Sequence, residues 1–226
     1  MRTFTIKITL ESDALIGSGE GFGAIIDTDI VFDKVGIPYI PARRTKGCLR
    51  DSAREVCAML ERAGIDSFID LRKEEKNEDE YKVVNDVFGR AGQEKPSPVF
   101  FSGLTIENYD ANRKWLEYLL KEYKELLSVQ SVLSAFTEIR QQTAIKDGVA
   151  KEHSLRTVRV VKKGVKFEGE IQVESDNAIE LLSLACLNLK NIGTKRNRGF
   201  GEVLCELFEG DREHTVIDRL EALCIN

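Results

Sequence analysis

Phe4, Ile6, Ile8 and Leu10 alternate with Thr3, Thr5, Lys7 and Thr9. A side-chain period of two is the mark of a strand with one face on a core and the other in water, so the pattern predicts a strand over residues 3–11. Val165, Phe167, Gly169, Ile171 and Val173 alternate in the same way, and Val203 to Leu207 is a third strand-like run. Residues 24–33, followed by Pro38 and Pro41, and residues 99–106 read as further extended segments. Between them lie helical spacings. Arg43 to Ala63 places Leu49, Ala53, Cys57 and Leu60 on one stripe, Trp115 to Leu127 reads as a helix with aromatic anchors, and Ile179 to Leu189 is an apolar helix. The order β, loop, β, α, β, α, extended arm, β, α, β predicts an α+β sandwich of the ferredoxin type.

At 226 residues the chain can bury a full core as one large domain or two small halves sharing a sheet. No apolar run reaches the roughly 18–20 residues that span a bilayer, and the start, Met1 to Ile6, is a strand pattern without a signal-peptide core, which predicts a cytoplasmic protein with no membrane partner. Five cysteines without a CxxC pair (Cys48, Cys57, Cys186, Cys205 and Cys224) suggest neither a disulfide framework nor a zinc site, and read as small core residues.

The net charge of −5 conceals three basic segments. Residues 40–50 and 190–200 each carry +4, and residues 140–170 carry +4 from eight basic and four acidic side chains. These segments can converge on one face that meets polyanions, or remain separate solvated patches. The segment at 190–200 opens the run Ile192-Gly-Thr-Lys-Arg-Asn-Arg-Gly-Phe-Gly-Glu202. Gly193, Gly199 and Gly201 permit close backbone approach, and Lys195, Arg196 and Arg198 supply donors suited to phosphate. The alternative is a glycine-rich hairpin with solvated charges. Residues 140–161 are polar and basic with scattered apolar residues, which suits a long protruding hairpin or loop better than core. Residues 64–98, charged and poor in apolar residues, read as short helices and loops, and Ser12 to Gly23, with four glycines, as a tightly turned or flexible loop.

Pro38-Tyr-Ile-Pro-Ala-Arg-Arg-Thr-Lys-Gly-Cys-Leu-Arg50 sets Arg43, Arg44, Lys46 and Arg50 at the entry and first turns of a helix, whose free amides favour an anion, with Gly47 allowing close approach. Here the sequence resembles the RAMP proteins (repeat-associated mysterious proteins) of CRISPR effector complexes, which carry a proline-bounded turn followed by a Leu-Lys-Gly-x-Leu-Arg-like helix start. The likeness extends through Leu15-Ile16-Gly17-Ser18-Gly19, Ile26-Asp27-Thr28-Asp29, Val87-Phe88-Gly89, Thr137-Glu138-Ile139-Arg140, Lys166-Phe167-Glu168-Gly169-Glu170 and the glycine loop, similar in order and type to the subunits that form the repeating backbone of type III complexes. One departure marks a variant system: Ala42-Arg43-Arg44-Thr45 stands where many backbone subunits have Gly-Ser-Ser-Leu.

The resemblance implies one RAMP domain over residues 1–226, an RNA-recognition-like ferredoxin core with a helical or loop insertion at 64–98 and a thumb-like arm at 140–161. Its partners would be a guide RNA, a target RNA, copies of itself, other RAMP subunits and the large subunits of a type III complex. In the arm, Arg140, Lys151, His153, Arg156 and Arg159 would be backbone or stacking contacts, or the ordinary charges of an exposed loop. Family members cleave target RNA with an aspartate and a divalent metal such as Mg²⁺; Asp27 stands at the matching position. Asp29 falls on the same side of an extended chain, and Asp33 does so if the pleat stays regular, so both either assist the metal or cap turns. The alternative is a non-catalytic subunit gripping one end of the guide. A histidine-driven guide-processing nuclease has little to work with in His153 and His214, both expected at the surface.

Overall fold

In the computed structural model, which describes residues 1–17, 26–65, 67–74, 77–90, 92–93, 96–146 and 148–224, the opening alternation forms β1 (Arg2–Leu10). Phe4, Ile6, Ile8 and Leu10 are each at most 1% exposed, and every such side chain taken from water contributes roughly 1.5–3 kcal/mol. The chain continues through α1 (Ala42–Ala63), β2 (Lys73–Glu74), β3 (Asn77–Tyr81), α2 (Lys82–Phe88), β4 (Val99–Phe101), β5 (Thr105–Ile106), α3 (Tyr109–Glu122), α4 (Val129–Phe136) and β6 (Thr137–Gln142). It then forms β7 (Ile145–Lys146), β8 (Val149–Ala150), β9 (Arg156–Val161), β10 (Lys166–Val173), α5 (Asp176–Asn188), a single 3₁₀ turn (Arg196–Arg198), β11 (Val203–Glu209), β12 (Arg212–Glu213) and α6 (Ile217–Cys224).

The main sheet runs β12-β11-β1-β10-β4, with β5 beside β4 on β10, and every pairing is antiparallel. Reduced to the elements joined by α1 and α5, this is the ferredoxin order, last strand beside first and third beside second, so the α+β class expected from the sequence is present. One face packs on α1 and α5. Helix α1 buries Leu49, Ala53, Val56, Cys57 and Leu60, starts after Pro41 and ends at Gly64, whose φ of +71° lets its amide reach back to Leu60 and Glu61. Ser52 of α1 donates to the Ala185 carbonyl of α5 at 2.8 Å. Cys57, Cys186 and Cys205 are buried in this layer and Cys48 is half-buried, all with free thiols.

Several elements differ from the sequence expectation. Among the described residues, the extended segment before α1 forms isolated bridges at Thr28, Ile30 and Phe32 in place of a continuous strand, and residues 18–25 of the glycine stretch lie outside the described residues. The strand expected over 99–106 is broken at 102–104, because Leu104 turns to bridge Ile40. A Cβ on Gly169 opposite would stand 2.8 Å from the Gly103 carbonyl oxygen, so the turn can pass over β10 only at a glycine. The charged stretch 64–98 contains the β2–β3 hairpin as well as α2. Helix α3 buries none of its residues; Trp115 is 66% exposed and does not anchor the helix. In the arm, only the part between about 141 and 156 stands out from the body, because Val158, Arg159, Val160 and Val161 are all buried at its base. There Ala14 and Val161 exchange main-chain hydrogen bonds of 2.8 Å, which welds the arm to the exit of β1.

Candidate nucleic-acid interface

The open face of the sheet carries Lys7, Lys166, Glu168, Glu206 and Phe208, with Glu107 at its edge. The Lys7 ammonium lies 4.6 Å from the Phe208 ring centroid, and the three glutamates repel phosphate. This face is therefore a poor platform for nucleic acid, and the basic groups gather on another side of the molecule.

Strand β6 pairs with β9 from Thr137 opposite Val161 to Gln142 opposite Arg156. The turn beyond them is fastened by Ser154, whose hydroxyl is 2.7 Å from that of Thr143 and accepts from the Ala144 amide. His153 takes φ of +56° there, which aims an exposed ring outward. The glycine loop closes on itself and on the segment after β1: the Ile192 amide donates to Gly201, Thr194 to Leu15, and Gly201 to Asp13. A Cβ on Gly193 would stand 2.5 Å from the Leu15 carbonyl oxygen, and one on Gly201 2.0 Å from that of Ile192. Those two glycines thus allow main chain to lie on main chain within the protein, whereas Gly199, at φ +76° with open space around it, sits at the exposed tip.

Arm and loop meet across a cleft lined by Gln142, Lys151, His153, Arg156, Lys195 and Arg198. Lys195 occupies the left-handed region at φ +59°, which costs a non-glycine residue roughly 1–2 kcal/mol. Its ammonium donates to the Gln142 side-chain oxygen. Burial and the neighbouring Arg198 draw the Lys195 ammonium below the ordinary lysine range, while Asp27 opposes that shift. Glu152 also lines the cleft. The side chains of Lys151, Arg196 and Arg198 have no hydrogen-bond or ion-pair partner among the described residues, and all three are exposed, which leaves their donors free for an anion.

Asp27 stands at the rim of this cleft, fixed to the first residues of β9. Its amide donates to the Thr157 carbonyl at 2.8 Å, while its carboxylate accepts from the Thr157 amide at 2.7 Å and from Arg156 at 3.3 Å. The segment runs parallel to β9: Thr28 bridges Val158, and Asp29 reaches Arg159 at 3.6 Å. Asp27 is thus at the exposed beginning of β9 and Asp29 at its buried end, where its carboxylate also accepts from the Ile30 amide at 2.8 Å. Of these two aspartates, Asp27 is the exposed one. Asp33 caps a turn by accepting from the amides of Val35 and Ile37 and from the Tyr109 hydroxyl.

The remaining expected residues divide by partner. Arg43, in the first turn of α1, is exposed with no partner among the described residues, and Gly47 leaves open space beside the helix. Arg44 donates to the Gly17 carbonyl. Arg196 lies beside Cys48: burial pushes that thiol up, and Arg196 and the Gly193 amide oppose the shift, so the helix start and the glycine loop share one surface. Lys46 is half-buried 3.4 Å from the Ser97 hydroxyl, and burial lowers its ammonium from the usual range, with Arg50 adding to the effect. Arg50 itself is turned away and donates to Asn85 at 2.6 Å and Glu80 at 3.2 Å, so its charge is compensated inside the protein. Arg159 is 3% exposed and serves Asp29, and Arg140 is bridged to Asp13 and Glu138. His214 is half-buried, edge-on to Phe4 at 5.4 Å; it follows the edge strand β12, and its amide donates to the Leu207 carbonyl of β11 at 2.7 Å. Gln142 and Glu152 carry no motif of their own and enter the site only through the fold.

Among the described residues no group of three or more His, Cys, Asp or Glu side chains can hold a metal ion. The donor set fits a divalent ion only as one shared with a bound phosphate, with Asp27 at the rim of the cleft and Glu152 in its lining as the exposed carboxylates.

A family model described as the RAMP superfamily matches residues 7–204. The chain belongs to the RAMP superfamily. This RAMP chain is 24% identical over 237 residues, covering 99% of its length and 94% of the relative's, to a protein of Streptococcus thermophilus named CRISPR system Cms endoribonuclease Csm3. Its fold matches a chain from the type III-B Cmr-beta complex bound to cognate target RNA, with a TM-score of 0.62 and 14% identity over 92% of this RAMP chain and 97% of that one. It matches a chain of the same complex in its apo state equally well, at a TM-score of 0.62 and 15% identity, with 92% and 98% covered.

Proposed function

We propose that this chain is a backbone subunit of a type III CRISPR effector complex, stacking along a guide RNA and cleaving complementary target RNA with Asp27. Supporting it above all is the attachment of one exposed carboxylate to the base of the thumb strand, at the rim of a cleft whose cations come from both the thumb and the glycine loop. Lys151, Arg156, Arg196 and Arg198, with Arg43 at the helix start, would bind the RNA backbone. An acidic chain lays these cations along a polyanion best when many copies align, so affinity comes from the assembly with guide RNA, further copies, other RAMP subunits and the large subunits. The complex would act in the cytoplasm; among the described residues no helix is long and apolar enough to cross a membrane.

In the reaction, Asp27 accepts the proton of the 2′-hydroxyl, that oxygen bonds to the adjacent phosphorus, and the bond from phosphorus to the 5′-oxygen breaks. The thumb holds the strand splayed at the site. A divalent ion held by Asp27 through water would supply positive charge to the phosphate.

One observation favours a second reading, a non-catalytic subunit that scaffolds one end of the guide: both carboxylate oxygens of Asp27 are already engaged by β9. The test is to assemble the complex with guide RNA, add labelled complementary RNA with Mg²⁺ or EDTA, and compare the native chain with Asp27→Ala. Regularly spaced products that require metal and vanish in the variant are expected; identical products from both would leave the chain a scaffold.

A further inference from the structure

We propose that Lys195 is the general acid of the cleavage reaction, donating its proton to the departing 5′-oxygen, and that Gln142 is the positioning residue that aims it. This inference rests on the functional reading above and assigns the half of the reaction that Asp27 cannot perform. A carboxylate that has just taken the 2′-hydroxyl proton lies on the attacking side of the phosphorus, so the leaving oxygen needs a donor from elsewhere in the cleft.

Four observations single out Lys195 among the cations present. Among the described residues it alone of the three loop cations is held by a side-chain hydrogen bond, from its ammonium to Gln142 on β6, so its position is set by both walls of the cleft. Its backbone is in the left-handed region where a glycine would rest without strain, a conformation retained only if the surroundings impose it. It is half-buried where Lys151, Arg196 and Arg198 are exposed. It is also the cation whose ammonium senses the charge of Asp27, with burial and Arg198 favouring proton release. The arginines facing the same cleft, Arg156 and Arg198, are planar guanidinium forks suited to hold phosphate oxygens in place. His153 also lines the cleft but is exposed, with no side-chain partner among the described residues to position it.

The atoms balance without a further reagent. The 2′-hydroxyl proton passes to Asp27, the oxygen–phosphorus bond forms as the phosphorus–5′-oxygen bond breaks, and the 5′-oxygen takes a proton from the Lys195 ammonium. The products are a cyclic 2′,3′-phosphate and a 5′-hydroxyl. Proton exchange with water then restores the Asp27 carboxylate and the Lys195 ammonium.

The experiment uses the assembled complex with guide RNA and two target RNAs, one natural and one with sulfur in place of the 5′-oxygen at the linkage that is cut. A thiolate leaves without a proton. Lys195→Ala is expected to slow cleavage of the natural target by about 100-fold or more and to cut the sulfur target at close to the native rate. Gln142→Ala, which keeps the lysine but frees it, is expected to show the same selectivity to a smaller degree. Asp27→Ala is expected to be slow on both. Equal slowing of both targets by Lys195→Ala would assign the lysine to binding or folding and overturn the inference, as would native rates on the natural target. Native cleavage by Asp27→Ala would instead remove the reading on which the inference depends.

Discussion

Asp27 and Thr157 are joined twice, by a main-chain hydrogen bond of 2.8 Å from the aspartate amide to the threonine carbonyl and by one of 2.7 Å from the threonine amide to the aspartate carboxylate. The pair fastens the segment after the first glycine stretch to the base of the thumb. Whatever displaces the arm therefore displaces the carboxylate, and under the proposed function an RNA held by the arm would meet Asp27 at a set position.

Asp27→Asn keeps an oxygen for the Thr157 amide and loses only the charge. Thermal unfolding of this exposed-site variant should follow the native protein to within about 0.5 kcal/mol, while target cleavage by its assembled complex falls by about 100-fold or more. Unimpaired cleavage would show that the carboxylate is a clamp and nothing else.

Asp29→Asn separates a buried ion pair instead. It leaves the Arg159 guanidinium, 3% exposed, without its carboxylate, and removing one partner of such a pair costs about 3–5 kcal/mol. Denaturant unfolding should register that loss. At a temperature where the variant remains folded, its complex should still cleave, because Asp29 does not reach the surface of the cleft.

The salt dependence of guide-RNA binding divides the cations into two sets. Lys151→Ala and Arg198→Ala should each reduce the slope of log affinity against log salt by about 0.7–1. Arg50→Ala should leave the slope unchanged and reduce stability, since its charge is spent on Glu80 and Asn85. A slope altered equally by all three would mean that Arg50 is released to the RNA.

Glu80 ties the insertion to α1 through Arg54 and Arg50, and those guanidiniums lower its carboxyl from the ordinary 4.5. A carboxyl depressed in the folded state stabilises above its unfolded pKa, and the contribution is lost as the pH falls through the lower folded value. Glu80→Gln should therefore be less stable than the native chain at pH 7, with the gap closing below about pH 4. Chemical denaturation at the two pH values measures it; a gap that stays constant would exclude charge as its origin.

In the glycine loop the cost of a methyl group depends on the neighbour. Gly199→Ala meets open space and pays only for left-handed backbone, about 1 kcal/mol. Gly201→Ala would set a Cβ 2.0 Å from the Ile192 carbonyl oxygen, and the main chain must move. Loss of stability well above that of Gly199→Ala, read by denaturant unfolding, is expected, because Gly201 shapes the loop and Gly199 merely ends its turn.

The amino-acid order by itself determined the parts whose cause is local. Period-two alternation in β1 and β10, the apolar stripe of α1 and the sequence of strands and helices were enough for a ferredoxin-type α+β core, since burial of one face follows from which side chains lie on it. The motifs of the helix start and the glycine loop identified the family, and Asp27, Lys195 and Arg198 were legible as chemistry-bearing residues. Only the tertiary structure decided which of them face a ligand. Asp29 follows Asp27 by two residues, yet a short parallel alignment with β9 carries it into the interior beside Arg159. Arg50 is consumed by Glu80, 30 positions away, and Trp115 is exposed because α3 turns Leu116 and Leu120 toward the core instead. Gln142 carries no motif and joins the cleft through a hydrogen bond with a lysine 53 residues along the chain. Charge compensation and burial are properties of pairs distant in the chain, and chain closure brings such pairs together according to the packing of the whole core, which no local pattern records.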